Sequence, residues 1–257
     1  SPRITINTPR LSGSLNLKGA RLDDLILNDY HQTIEESSPK IDLLQPTGGT
    51  NPYFAQFGWT GESGLDVPTS DTVWSADSQE LDVGKPVTLS WTTDAGVRFE
   101  QVISLDQNFM FTVDQRVSNN SGDTISATPY GRIFRGEKPE TLGFYILHEG
   151  LIGVFGQDGL SEVDYDDVIE DGDVSQESKA GGWLGITDKY WAAVLVPPQD
   201  AAFKGRFSEN KSGRTETFQA DYLLDGVSIP AGGSSSVSSQ IFAGGDAHAV
   251  EQIIGLE

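Results

Sequence analysis

Val87-Thr88-Leu89-Ser90-Trp91, then Thr92-Thr93-Asp94-Ala95-Gly96, then Val97-Arg98-Phe99-Glu100-Gln101-Val102-Ile103-Ser104-Leu105 is the stretch whose reading decides the fold. Apolar residues fall on every second position on both sides of a short turn that ends in glycine. Strand side chains alternate between two faces, so this pattern gives each strand one buried and one wet face. The turn is short enough to return the chain as an antiparallel hairpin. Asp106-Gln107-Asn108 then turns into Phe109-Met110-Phe111-Thr112-Val113-Asp114-Gln115-Arg116-Val117. Asn119-Asn120-Ser121-Gly122-Asp123 turns again before Thr124-Ile125-Ser126-Ala127-Thr128.

The same period runs outward in both directions. Ile4 and Ile6 alternate with polar residues, as do Leu11, Leu15 and Leu17. Leu22, Leu25 and Leu27 run towards Asn28-Asp29, where a turn is expected. Gly143-Phe144-Tyr145-Ile146-Leu147 and Leu151-Ile152-Gly153-Val154-Phe155 read as a strand pair. Residues 163–174 are acidic and read as a strand that becomes a loop. Phe203-Lys204-Gly205-Arg206-Phe207 is expected to pair with residues 215–222, and 237–242 is the last strand, after a Gly/Ser loop at 232–236. Turn signals about every 8–12 residues are what a sandwich of antiparallel sheets produces. Helical spacing emerges only at the end, where Asp246 can cap a helix with Ala247, Val250, Ile253 and Ile254 on its apolar face. No break in composition marks a boundary. The expectation is one all-β domain over 1–257, with a sandwich at 1–243 and a helical segment at 244–257.

Composition narrows the function. The 257 residues carry 38 acidic against 17 basic side chains, a net charge of −21. Such a surface repels phosphate backbones and anionic head groups, which argues against nucleic-acid binding and against a basic membrane anchor. The charge serves solubility or, less simply, presents an acidic face to a basic partner. There is no cysteine, so disulfides, thiolate metal sites and cysteine nucleophiles are out. No run reaches the roughly 18 apolar residues of a spanning helix. The start, Ser1-Pro2-Arg3, has no signal-peptide core and no Met, so the chain is expected to be a piece of something longer.

Candidate chemistry is thin. The acids between 162 and 173 could in principle hold a calcium ion, but they lack the order of an EF-hand loop and read better as solvated. His31, His148 and His248 are scattered, with no metal-binding spacing. His148 beside Glu149 could serve as acid or base on a sugar-handling sandwich; a hairpin-end histidine is the simpler reading. Glycine pairs such as Gly48-Gly49 and Gly232-Gly233 open no helix and cradle no phosphate. Of the aromatics, most must be core on alternating strands; Trp59, Trp183, Tyr190 and Trp191 are candidates to line a groove for sugar or extended peptide. No catalytic residue, cofactor or metal is assigned.

One string is distinctive: Gly181-Gly182-Trp183-Leu184-Gly185-Ile186-Thr187-Asp188-Lys189-Tyr190-Trp191-Ala192-Ala193-Val194-Leu195-Val196-Pro197. It resembles the signature near the end of the periplasmic domain of YidC-type membrane protein insertases, in a form similar to α-proteobacterial members. Ile4-Thr5-Ile6-Asn7-Thr8, Arg21-Leu22-Asp23-Asp24-Leu25, Gly58-Trp59, Pro129-Tyr130-Gly131-Arg132-Ile133 and Phe242-Ala243-Gly244 occur in that family's order. The likeness covers essentially the whole chain; residues 60–86 and 156–178 add nothing distinctive.

The resemblance implies a β-supersandwich similar to galactose mutarotases, with a short C-terminal helix and no catalytic residues. It implies a place at the periplasmic face of the bacterial inner membrane, attached through helices that this sequence lacks. It further implies a role in inserting and folding inner-membrane proteins, with Sec translocon accessory proteins and nascent membrane proteins as partners. Val250, Ile253 and Ile254 are the candidate contacts, their apolar face resting on the sandwich or on a partner. The rival is a carbohydrate-binding or aldose-epimerase-like sandwich, which needs a histidine and a carboxylate converging in one cleft.

Overall fold

The computed structural model describes residues 1–141 and 148–245. They form β1 (Arg3–Asn7), β2 (Leu11–Asn16), β3 (Arg21–His31), β4 (Lys40–Leu44), β5 (Tyr53–Gly61), β6 (Ser75–Ala76) and β7 (Glu80–Leu81). Next come β8 (Val87–Thr92), β9 (Val97–Leu105), β10 (Met110–Asn119), β11 (Ile125–Arg135), β12 (Gly150–Phe155) and β13 (Leu160–Val163). The helix α1 (Tyr165–Asp171) precedes β14 (Val174–Ser178), β15 (Gly182–Thr187), β16 (Trp191–Val196) and β17 (Phe203–Ser212). The described chain closes with β18 (Thr215–Leu224), β19 (Val227–Ile229) and β20 (Ser234–Gly245).

Two sheets stack face to face. The larger has eleven strands in the order β14-β17-β18-β11-β5-β3-β2-β1-β7, with β19 also on β11 and β4 on β3. The smaller has nine, β13-β12-β15-β16-β20-β10-β9-β8-β6. β1 and β7 run parallel; the other named pairs are antiparallel. The all-β sandwich of antiparallel sheets read from the alternation is what forms, as is the supersandwich that the resemblance implied. Within the deciding hairpin, Val87, Leu89, Val97, Phe99, Ile103 and Leu105 all point into the space between the sheets. Burying each such side chain contributes about 2 kcal/mol, which is what outweighs the loss of chain entropy.

Polar groups bridge the sheets inside this core. Gln101 and Gln115, on β9 and β10, donate through Nε2 to the carbonyls of Phe57 (3.0 Å) and Gly58 (2.8 Å) on β5. Tyr222 on β18 donates to Ser239 Oγ on β20 at 2.8 Å. These bonds fix which face of each sheet meets the other, because a buried polar group without a partner costs more than the bond returns.

Three local readings are corrected. The acidic segment is not strand and loop: α1 forms because Tyr165, Val168 and Ile169 fall at helical spacing on one side. Tyr165 and Val168 are buried, and the Tyr165 ring lies 4.7 Å from that of Phe218. Asp166 and Asp167 stand in the first turn, where the helix dipole favours them. Asn28-Asp29 is not a turn: β3 runs straight through it. Asn28 Nδ2 donates to the carbonyls of Thr8 and Pro9, and Arg10 pairs with Asp29 at 3.0 Å. The last strand begins at Ser234 rather than Val237, because Ser234–Ser236 pair with Arg116–Ser118. The strand expected at 143–147 and the helical segment after 245, with Val250, Ile253, Ile254 and His248, lie outside the described residues.

Candidate functional site

The four aromatics expected in a groove do not share one. Trp59 is in the core, 5.0 Å from the Phe99 ring and 6.3 Å from that of Trp74. Trp183 is equally buried, with its Nε1 lacking a partner. Alternation sends both inward, as it does for most aromatics on half-buried strands. Tyr190 and Trp191 go the other way. Tyr190 is 53% exposed and Trp191 is partly buried.

These two belong to a built surface at one end of the sandwich. The β15–β16 turn carries Asp188, Lys189 and Tyr190. Asp188 points inward and accepts from Arg135 Nη1 at 2.8 Å, with both side chains largely buried. The Arg135 guanidinium also donates to Tyr165 Oη at 3.3 Å and lies 4.4 Å over the Tyr53 ring. Burial alone would lower the Arg135 pKa; the Asp188 carboxylate and the Tyr165 and Tyr53 phenols outweigh burial and raise it. Burial pushes the Tyr165 phenol up to about 12. With the turn anchored by Asp188, its other side faces out. Lys189 Nζ sits 4.9 Å over the Tyr190 ring, Tyr190 meets Trp191 edge to face at 5.7 Å, and Trp191 meets Tyr30 at 6.2 Å.

Trp191 is the register partner of Gly245, the last described residue of β20. Tyr30 lies so close over Gly245 that a Cβ there would meet its ring at 2.5 Å. On the same end, Phe109 packs against Gly244 and holds a left-handed backbone, φ +66°. Arg10 lies 4.0 Å over its ring. Beside them opens a cleft of about 420 Å³ between the β1–β2 and β9–β10 turns, with Arg10, Val83, Asp106 and Asn108 on its walls. The end of the molecule from which the chain continues past β20 is therefore aromatic, partly exposed and grooved. Sequence reading found Tyr190 and Trp191 but not Tyr30, Arg10 or Phe109, which reach this end only through sheet pairing.

Among the described residues, His148 has one carboxylate within ion-pair distance, the exposed Asp164, and its ring is tied to the backbone. Its ring Nε2 lies 2.7 Å from the Leu151 carbonyl and Nδ1 lies 3.4 Å from Asp164, with the side chain 9% exposed. His31 is similarly tied to the Ser38 carbonyl at 2.7 Å. Among the described residues no three His, Asp or Glu side chains converge as metal ligands.

Comparison with known proteins agrees with the resemblance. A family profile described as the YidC periplasmic domain matches residues 3–256. The chain is 45% identical over 265 residues to a membrane protein insertase YidC of Methylorubrum extorquens (strain PA1), covering 100% of this chain and 43% of that protein. It is 47% identical over 247 residues to one from Brucella suis biovar 1 (strain 1330), covering 95% of this chain and 40% of that protein. It thus spans about two fifths of the length of these relatives. In structure it is similar to a galactose mutarotase related enzyme from Lactobacillus acidophilus, TM-score 0.61 at 9% identity over 94% of this chain and 97% of that one. A galactose mutarotase-like protein from Lactobacillus casei gives TM-score 0.57 at 12% identity, over 94% and 99% of the two chains. At such identity the likeness to the two solved structures speaks for the fold and not for their chemistry. The chain belongs to the YidC periplasmic domain family.

Proposed function

We propose that this chain acts as a non-catalytic docking body of a membrane protein insertase, held at the periplasmic face of the inner membrane. In this reading its aromatic end receives a partner: a Sec accessory protein or an emerging membrane protein. The observation that carries it is the anchored turn. Asp188 is locked to Arg135 inside, and this leaves Tyr190 half-exposed on a rigid support beside Trp191 and Tyr30. Rigid amphipathic aromatics give contact area at small entropic cost, which is why they recur at protein interfaces. Lys189 and Arg10, the latter paired with Asp29, bring cationic side chains against the rings there. We place the contacts of the helical segment, Val250, Ile253 and Ile254, in the same role, because β20 delivers the chain to this end. The whole chain is proposed to work as one unit.

The test is in-cell photocrosslinking in the full-length insertase, with the crosslinker at Tyr190, at Ile253 and, for comparison, at Arg98 on the smaller sheet. Labelling of Sec subunits or nascent membrane proteins from the first two but not from Arg98 supports the docking role. Equal labelling from all three, or from none, sinks it.

A further inference from the structure

On the larger sheet, Arg206 (β17), Asp221 (β18), Arg132 (β11), Gln56 (β5) and Arg21 (β3) are register partners in turn. The line runs on through Asn16 to Arg3. Register partners share a face. This face points away from the core, since their chain neighbours Ile133, Ala55 and Leu22 point into it. Both ends of the line are neutralised. Arg3 holds Asp23 at 2.7 Å, and Arg206 holds Asp221 at 3.0 Å.

The centre is not. Among the described residues, neither Arg21 nor Arg132 has a carboxylate within ion-pair distance. Arg132 donates to amide oxygens, Gln56 Oε1 at 2.7 and 3.0 Å and Gln219 Oε1 at 3.1 Å. Both amides are aimed by further bonds, Gln56 Nε2 to the Gly19 carbonyl and Gln219 Nε2 to Asp221. Arg21 has a buried Nε with no hydrogen-bond partner among the described residues. It lies 4.1 Å over the Phe54 ring, which is itself stacked on Phe134 at 5.0 Å; Arg132 is 5.3 Å from the same ring. Burial, and then the neighbouring guanidinium, pull the Arg21 pKa down against the more distant Asp23 and Asp71, and burial pulls Arg132 down against Tyr130 and Asp221. Tyr130, next on this face of β11, packs so tightly over Gly58 that a Cβ there would meet its hydroxyl at 2.6 Å. Among the described residues that hydroxyl makes no hydrogen bond.

Two like charges lie over one aromatic floor, and among the described residues Arg21 Nη1 and Nη2 and the Tyr130 hydroxyl make no hydrogen bond, which forms a receptor for negative charge. The free Nη1/Nη2 fork of Arg21 matches an oxyanion with two parallel bonds, and the Arg132 charge with the Tyr130 hydroxyl suits the further oxygens of a phosphate better than a lone carboxylate. We propose that Arg21, Arg132 and Tyr130 form a binding site for a phosphate group on the outer face of the larger sheet. The phosphate group belongs either to a small soluble phosphate or to a phospholipid head group. The site is separate from the aromatic end and does not depend on the docking role.

The test follows the arginine Nε–H NMR signals of this 257-residue chain during titration with inorganic phosphate, with chloride at matched ionic strength as reference. A saturable shift of the Arg21 and Arg132 signals with phosphate alone is expected. Arg21→Gln and Arg132→Gln should each weaken binding at least about tenfold, the worth of one charge-assisted bond. Arg132→Lys, which keeps charge and loses the fork, should fall between; Arg98→Gln should change nothing. If a glutamine variant does not fold, the wild-type signals still decide. Signals that move no more with phosphate than with chloride overturn the proposal, unless vesicles of phosphatidylglycerol, and not of phosphatidylcholine, shift them. Failure with both probes removes it. A shift with vesicles assigns a lipid head group, and one with phosphate alone assigns a soluble ligand.

Discussion

Arg135 and Asp188 join the two sheets: the guanidinium comes from the end of β11 in the larger sheet, and the carboxylate from the β15–β16 turn in the smaller, 2.8 Å away. Asp188→Ala leaves the Arg135 charge buried and unpaired. The expected loss is about 3 kcal/mol, because a broken buried pair costs more than the intact pair contributes. Replacing both, Arg135→Met with Asp188→Leu, should recover most of it. Urea unfolding of the three proteins measures this, and a double variant no more stable than Asp188→Ala contradicts it.

Tyr222 and Ser239 form a second link between the sheets, fully inside the core. Tyr222→Phe should cost about 1 kcal/mol, the net worth of a buried neutral hydrogen bond plus a stranded hydroxyl. Adding Ser239→Ala should cost little more, since the stranded group is then gone. A double-mutant cycle on denaturant midpoints reads the coupling directly.

Alkali should unfold the protein cooperatively. Burial raises the folded-state pKa of Tyr165 to about 12, and raises those of Tyr53 and Tyr222 as well. The unfolded phenol titrates near ~10. Between these values the folded state holds more protons than the unfolded one, so stability falls as pH rises. It is intact below pH ~10 and lost progressively above. Tyrosinate absorbance should show an exposed class ionising first and the buried class ionising only with loss of near-ultraviolet circular dichroism.

Gly182 and Gly185 of the glycine–tryptophan signature tolerate no side chain, and Gly182 is the one of the two with a left-handed backbone. Its φ is +122°, and a Cβ there would collide with the Val154 carbonyl on β12. Gly182→Ala should cost about 3 kcal/mol or more, from strain and a displaced strand together. Thermal unfolding checks it; an unchanged midpoint would show that the β12–β15 pair adapts freely.

Tyr190→Ala removes a half-exposed ring from an anchored turn. Stability should stay within about 0.5 kcal/mol, as for most surface changes. Crosslinking of partners from neighbouring positions of the full-length insertase should drop. Intact crosslinking with unchanged stability would remove Tyr190 from the docking surface.

The sequence alone determined that this is a sandwich of antiparallel strands. Alternation is set by strand geometry, which acts within a few residues and needs no partner to be read. It determined most hairpins as well, such as Val87–Thr92 with Val97–Leu105, because turn chemistry is local. The family was legible in residues 181–197 and in landmarks spread along the chain. What the tertiary structure alone decided is who meets whom across the sheets. Trp59 and Tyr190 look equally able to line a groove in the sequence, yet one is core and the other surface. Arg21 and Arg132 are 111 positions apart and become neighbours only through the register of β3, β5 and β11. Seven residues of helix inside an acidic run escaped notice, since one turn and a half of apolar spacing is too short to stand out until Phe218 is there to pack against. Long-range pairing is fixed by the shape of the whole core, and no local stretch of residues carries that information.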